Sequence, residues 1–402
     1  MKALAHGAVL LAVILVSHSA AGAQELPSRP VSLAGGRIML GADLSISTTP
    51  QDDTDGAWFN YTDYGHNALR LLRLGVTANV RLTDAVSFLT DIRSENGERV
   101  EPYALYVRIA PWRERPFVIQ AGRIPPVFGA FSRRGYGAGN PLVGYPLAYQ
   151  YLTAVRPDAL PSTTEDVLQM RGRGWRPSYP IGSLETAPGL PLISAFRWDT
   201  GVQVRYGRDT LNASAALTNG TMSDPRTRDN NGGKQITGRV EWQPAPAFRL
   251  GASASHGAYV ADAALASATL LAGDSGSAQR ALGLDAEISR AHWVVRGEFI
   301  RNTWQVPTLS RSLGASSVSV EGRYKILPGL FAAGRVDHLR FDTVRSASQS
   351  ASWDAPVTRA ETGLGYYLRP NLLAKASYQH NWRDGGNVRR RGLLAAQLHF
   401  WL

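Results

Sequence analysis

Runs of about ten residues alternating aliphatic with polar side chains recur from Arg37 to the C terminus, and short and long connections take turns between them, a pattern met by an up-and-down antiparallel sheet. In the clearest run, Leu72, Leu74, Val76, Ala78, Val80 and Leu82 share one side, and Arg73, Thr77, Asn79 and Arg81 share the other. Successive side chains of a strand point to opposite faces, so each run presents an apolar row and a polar or charged row. Sixteen such strands are predicted from Arg37 to Leu402. An even number brings both ends of the sheet to the short-turn rim. Asn96-Gly97 gives a two-residue hairpin signal at the second outer connection.

Period two does not by itself choose between a soluble sandwich and a membrane barrel, because a sandwich alternates in the same way. The aromatic residues make the distinction. Trp112, Phe117, Trp242, Phe248, Trp293, Tyr324, Tyr366 and Phe400 stand beside short turns, where a membrane barrel carries its interfacial girdle. A sheet in lipid must also close, because unpaired edge groups find no water there. The expected fold is therefore all-β: a single antiparallel transmembrane β-barrel of about 16 strands, its aliphatic rows toward lipid and its charged rows around a lumen.

The N-terminal segment carries Lys2, an apolar core from Ala8 to Val16 and the small residues Ala21-Gly22-Ala23, the layout of an export signal too short to span a bilayer. Residues 1–23 are read as that signal and 24–402 as the barrel. The chain has no cysteine, so an exported fold of this kind is held without disulfides. All but four of the 43 basic residues are arginines, and the formal net charge is +11. Guanidinium groups on a wall attract anions and hold carboxylates or phosphates in fixed geometry. Nucleic acid is not an expected partner, since no basic helix or base-stacking motif accompanies the charge.

One stretch, residues 123–192, breaks the rhythm. It is rich in Gly and Pro, which punctuate strands and helices; an insert of this length means either a functional loop or a wrong assignment, and the period-two alternation on both flanks makes it a loop. It is expected to fold, as a long third outer loop, toward the lumen and to form the constriction through Arg133, Arg134, Arg156, Asp158, Glu165, Asp166, Arg171 and Arg173, with Thr163 to Asp166 as an acidic edge facing Arg133 and Arg134; the alternative is a loop that caps the outside or packs on a neighbour. The lumen wall facing it is expected to carry Arg73, Arg81, Arg197, Arg205, Arg239, Arg296, Arg323, Lys325, Arg335 and Arg359.

Four segments resemble bacterial outer-membrane porins, most nearly the phosphate-selective porin O and P type: AGRIPPVFGAF from Ala121, ALTNG from Ala216, RAETGLGYYL from Arg359 and LLAKASYQHN from Leu372. The resemblance implies an outer-membrane channel for passive diffusion of small hydrophilic or anionic solutes, surrounded by outer-membrane lipid, with no cofactor and with a homotrimer as one assembly. The hairpin at Asn96-Gly97 replaces the loop that latches trimers in many porins, and a lysine-rich phosphate path is absent. The excess of basic over acidic wall positions predicts mild anion preference. The alternatives are a plugged structural or adhesive barrel and an outer-membrane barrel enzyme. Catalysis is not expected: His256, His292, His338, His380 and His399 are scattered over different strands, and no nucleophile elbow or zinc-protease run occurs. The acidic clusters at Asp52 to Asp55 and Asp224 to Gly232 lack the spacing of a calcium loop and are read as solvated turns, so no metal site is expected.

Overall fold

The computed structural model describes residues 30–51, 59–61, 67–112, 114–134, 137–194, 198–208, 210–272, 277–386 and 388–402. The expected export signal and the cluster at Asp52 to Asp55 lie outside the described residues. Sixteen strands form one closed antiparallel barrel: β1 (Ile38–Thr48), β2 (Leu71–Arg81), β3 (Val86–Glu95), β4 (Arg99–Ile109), β5 (Phe117–Ile124), β6 (Asp199–Gly207), β7 (Leu211–Thr218), β8 (Gln235–Ala245), β9 (Phe248–Ala258), β10 (Ala278–Arg290), β11 (Trp293–Trp304), β12 (Leu313–Leu327), β13 (Leu330–Phe341), β14 (Val357–Arg369), β15 (Leu372–Arg383) and β16 (Arg390–Trp401). Each strand pairs with its sequence neighbours, and β1 also pairs with β16 from Asp43↔Trp401 to Thr48↔Ala396, which closes the barrel. Both ends of the sheet therefore lie at the short-turn rim. The opposite rim carries the longest connections and also the predicted hairpin, where Asn96 (φ 51°) and Gly97 (φ 74°) take the left-handed conformations a tight turn needs.

The burial pattern is inverted relative to a water-soluble sheet. Along β2, Leu74 and Val76 are exposed, Val76 by 59%, while Arg73 and Thr77 are buried. Along β10, Leu282 and Leu284 are exposed while Gln279 is buried. Ile236, Val240, Val295, Val318, Val320 and Val336 continue the outer apolar surface. Monomeric soluble proteins keep contiguous apolar patches to a few hundred Å². A continuous aliphatic belt around a closed barrel therefore has hydrocarbon as its solvent, and the barrel spans a bilayer.

Two local departures from the simple alternation have clear causes. Pro102, which cannot donate to a ladder, sits at a shift in the β3–β4 register, where Asp91 faces Ala104 and Ile92 faces Pro102. Tyr103 is the extra residue, and it turns inward over the Arg93 guanidinium, 3.5 Å from the ring centroid, instead of sharing the outer face of Leu105 and Val107 as alternation predicts. Trp198, which strict alternation with Val202 and Val204 would place on the outer row, precedes β6 and is buried inside against Tyr103 and Tyr106. The Ala-rich stretch after β9 forms the short loop helix Asp262–Ala272.

Candidate lumen and loop constriction

The inward rows of β12 to β15 carry charges of alternating sign. Register places Glu321, Arg335, Glu361 and Gln379 side by side across four strands, with Ser319, Asp337, Arg359 and Asn381 as the neighbouring row. Directly opposed side chains lie about 5 Å apart, so Arg335 reaches three acids: Glu361 at 2.6 Å, Asp337 at 3.2 Å and Glu321 at 3.3 Å. Across the lumen Arg239 is held by Asp285 at 2.5 Å and by Glu241 at 3.2 Å. Arg73 is held by Glu95 at 2.7 Å.

The segment between β5 and β6 rests on this wall through its backbone. Gly129 N–H donates to Ser253 Oγ, and Ala130 N–H donates to Glu298 Oε1 at 2.8 Å. Tyr149 OH donates to the same carboxylate, and burial together with that negative charge pushes the phenol well above its usual pKa, so it stays a donor. Arg134 donates to Glu321 Oε1 at 2.5 Å. Gly144 donates its N–H to Glu361 and accepts from Arg335 through its carbonyl. Arg359 donates to Tyr145 O at 2.8 Å and to Phe59 O at 2.5 Å. Lys375 Nζ donates to the carbonyls of Gly137, Asn140 and Leu142, each at 3.0 Å. A Cβ at 144 would meet the Gln379 amide and the Glu361 carboxylate, so any side chain there has to push both aside. The stretch from Gly129 to Tyr149 thus contacts inward groups of β9, β11, β12, β13, β14 and β15.

A second layer lies nearer the long-loop rim. Buried Phe128, Phe131, Tyr149, Tyr151, Leu192 and Ile193 pack with the inward residues Ile300, Trp304, Leu339 and Phe341. Asp354 accepts from the N–H groups of Ala154, Gly172 and Ala355 at 2.7 to 2.8 Å, tying two passes of the loop to the β13–β14 connection. Burial outweighs those donors and pushes the Asp354 carboxyl up to about 6. A carboxyl raised in the folded state favours its neutral form there, so its contribution to stability is present below about pH 4 and is lost as pH rises through about 6. Asp354→Asn is expected to flatten that pH dependence by up to about 3 kcal/mol, about two pKa units. Denaturant unfolding of the folded barrel at pH 4 and pH 7 measures this, and an equal slope in both proteins would contradict it.

The residues expected to form the constriction divide between these layers. Arg134 lies at the wall. Arg156 is buried and forms a two-pronged pair with Asp158, while its remaining nitrogen donates to the carbonyls of Pro177 and Glu185, so the pair staples the loop to itself. Thr163 and Asp166 form a capping box on the helix Thr164–Gln169, and Glu165 accepts from Ser348. These acids therefore serve the outer layer, and Arg134 finds its carboxylate on β12. Arg171 donates to Ser352 and pairs with Asp384 at 3.2 Å, and Arg173 is exposed. The Arg133 side chain and Arg197 lie outside the described residues.

Of the expected wall arginines, Arg73, Arg239, Arg335 and Arg359 are buried inside. Arg205, Arg296 and Arg323 face inward and are half-buried, and Arg81 and Lys325 are exposed near the short-turn rim. The acidic cluster after β7 is neutralised locally, Asp224 by Arg226 and Asp229 by Lys234. Sequence reasoning did not single out Tyr149, Gly144 or Glu298 as loop contacts. Their roles depend on which wall residue the loop meets, and no local spacing encodes that. Between the loop and the β8–β12 wall a cavity of about 110 Å³ remains, lined by Arg134, Arg239, Glu241, Asp285, Glu287 and Glu298 among others.

These features define a sixteen-stranded transmembrane β-barrel with a long segment of its own chain against the inner wall. No protein-family model matches the sequence, and no curated protein matches it. The barrel is similar to solved structures at low identity. The outer-membrane expressed OmpT of Vibrio cholerae is 9% identical over 93% of this chain and 100% of that one, with a TM-score of 0.54. The anion-selective porin from Comamonas acidovorans is 8% identical over 91% and 99%, with a TM-score of 0.54. Salmonella typhi OmpF, in complex with daunomycin, is 11% identical over 91% and 97%, with a TM-score of 0.51. The likeness lies in the fold.

Proposed function

We propose that the chain is a bacterial outer-membrane porin, exported by residues 1–23, that conducts small hydrophilic solutes by passive diffusion with mild anion preference and no catalytic step. The observation that carries this reading is the placement of the Gly129 to Tyr149 segment, whose backbone is pegged to inward charged groups instead of folding back over the rim. A loop so placed narrows a lumen. Porin-type neighbours support a channel, and the Comamonas acidovorans protein among them is an anion-selective porin.

The anion preference draws on the short-turn half of the lumen. Inward Arg108, Arg205, Arg249, Arg296 and Arg323 are half-buried there, beside the acids Glu241, Asp285, Glu287 and Glu321. Like charge lining a narrow, low-dielectric passage biases which ions enter it. Around the loop itself the arginines are matched by carboxylates, which keeps the preference mild. The wall and loop residues named above form the filter, and a homotrimer is the assembly expected for this fold.

Single-channel recording in planar bilayers tests the proposal. Wild-type protein is expected to give steady steps, and Lys375→Met, which leaves three loop carbonyls without their donor, larger ones. Reversal potentials in a salt gradient are expected to favour the anion, and cation selectivity would overturn that part. A second reading, a barrel closed by its own loop, draws on the nearly complete burial of Arg335, Arg359 and Asp337. It predicts no steps from wild type, with conduction only once the peg is removed.

A further inference from the structure

The outer face of the barrel carries cations where lipid would be met. Toward the long-loop rim the outward rows of β10, β11 and β13 carry Arg280, Arg301 and Arg340, and His256 on β9 stands directly opposite Arg280. Register binds them into one patch. Arg301 faces Ser316, Ser316 faces Arg340, and Arg280 faces Thr303, two residues from Arg301. Strand spacing of about 4.8 Å puts the Arg301 and Arg340 backbones about 10 Å apart, and the diagonal from Arg280 to Arg301 is about 7 to 8 Å. Guanidinium groups on that spacing can converge on one or two phosphates.

The neighbouring charges are uneven. Arg301 is fixed by Ser316 Oγ at 3.0 Å and by both oxygens of Asp342. Arg280 and Arg340 have no hydrogen-bond partner among the described residues, and the one acid beside Arg340 is the same Asp342. The patch keeps an excess of positive charge over that carboxylate.

Below Arg301 the outer surface is hollow. Small side chains leave a concavity of about 820 Å³ lined by Ala213, Gly238, Ala252, Ala254, Leu284 and Phe299, among others, with Arg301 also on its lining. A second hollow of about 620 Å³ shares Ala252, Leu284 and Phe299 with it and continues to Trp242 near the short turns. Along β11, Arg301 and the girdle residue Trp293 are eight residues apart, about 27 Å of strand. At a tilt of about 40° that strand rises about 21 Å, most of the apolar belt of a membrane barrel at about 25 Å, and the long arginine stems reach the rest of the way to the interface. The cations therefore stand at headgroup level on the long-loop side, and the hollow lies at acyl-chain depth.

We infer that this face is a binding site for a phosphorylated, multiply acylated lipid of the outer leaflet, its phosphates on Arg280, Arg301 and Arg340 and an acyl chain in the groove between β7 and β11. Charge complementarity selects an anionic headgroup, and the groove beneath it selects a lipid over free phosphate. The site depends on the bilayer orientation of the barrel and not on whether the lumen conducts.

Native mass spectrometry of the refolded protein, loaded with diphosphoryl lipid A or with phosphatidylethanolamine and then exchanged into detergent, tests the inference. Wild type is expected to keep lipid A in preference to phosphatidylethanolamine. Arg280→Gln/Arg340→Gln changes two side chains that hold nothing else in the fold, and it is expected to retain lipid A at least about tenfold less. Ala254→Trp, which fills the groove and keeps the cations, is expected to lose it similarly. Unchanged retention by the arginine variant, equal retention of the two lipids, or a trimer that covers the groove and keeps no lipid would each overturn the site. Conductance of the arginine variant is expected to match wild type, so failure of the lipid site is read separately from failure of the channel.

Discussion

Replacing Arg335 with methionine is expected to lower the stability of the folded barrel by about 3 to 5 kcal/mol, the range for removing one partner from a buried ion pair. Arg335 joins three carboxylates and a loop carbonyl, and it is fully buried. Methionine fills much of the volume but leaves the acids unequally placed. Glu321 retains Arg134 and Arg296, whereas Asp337 and Glu361 lose their ion-pair partner. Glu361 is also the acceptor for Gly144 N–H, so the loop loosens with the wall. Equilibrium unfolding in denaturant from vesicles gives the loss. Arg335→Met/Asp337→Asn/Glu361→Gln, which removes the stranded charges as well, is expected to regain most of it, since neutral replacement of a whole buried network is often tolerated. A triple variant no more stable than the single would show that the arginine acts through packing alone.

The second large effect comes from the opposite face of the same sheet. Leu284 lies on the outer row of β10, 58% exposed, between Leu282 and Ala286 and midway between Arg280 and Ile288. Leu284→Arg is expected to destabilise the barrel in lipid by about 2 to 4 kcal/mol, the cost of an arginine near the bilayer midplane of a membrane barrel. The same exchange at a water-exposed position changes stability by no more than about 0.5 kcal/mol. Unfolding from vesicles separates the two, and a value in the lower range would place water against that row.

The lipid-facing architecture was legible in the sequence because two solvents write opposite preferences onto alternate residues. Val76 and Arg73, or Leu284 and Glu287, declare their faces without help from distant residues. The strand number followed from counting such runs, and the Asn96-Gly97 turn from its dipeptide. The β4 bulge was less legible, because Pro102 moves the register by one and carries Tyr103 inward against the alternation.

The loop was legible as an interruption but not as a path. Arg156, Asp158 and Asp166 have the composition of a constriction, yet local pairing claims them: a staple two residues long and a helix cap three residues long. The groups that reach the wall are largely backbone carbonyls and amides of Gly137, Asn140, Leu142 and Gly144. Every residue carries those, so no residue type could have announced them. Lys375 and Glu361 were readable as inward residues of their strands, and their partners 217 to 238 residues away were not.

The account stands on the two faces of the sheet meeting different solvents, and the absence of native cysteine permits a clean scan of that point. Single cysteines at Leu284 and Val320 on the outer rows and at Glu287 and Ser319 on the inner rows, spin-labelled in lipid vesicles, report collisions with oxygen and with a water-soluble nickel chelate. The expected result is oxygen-dominated relaxation at 284 and 320 and chelate-dominated relaxation at 287 and 319. Chelate access at 284 and 320 equal to that at 287 and 319 would contradict it.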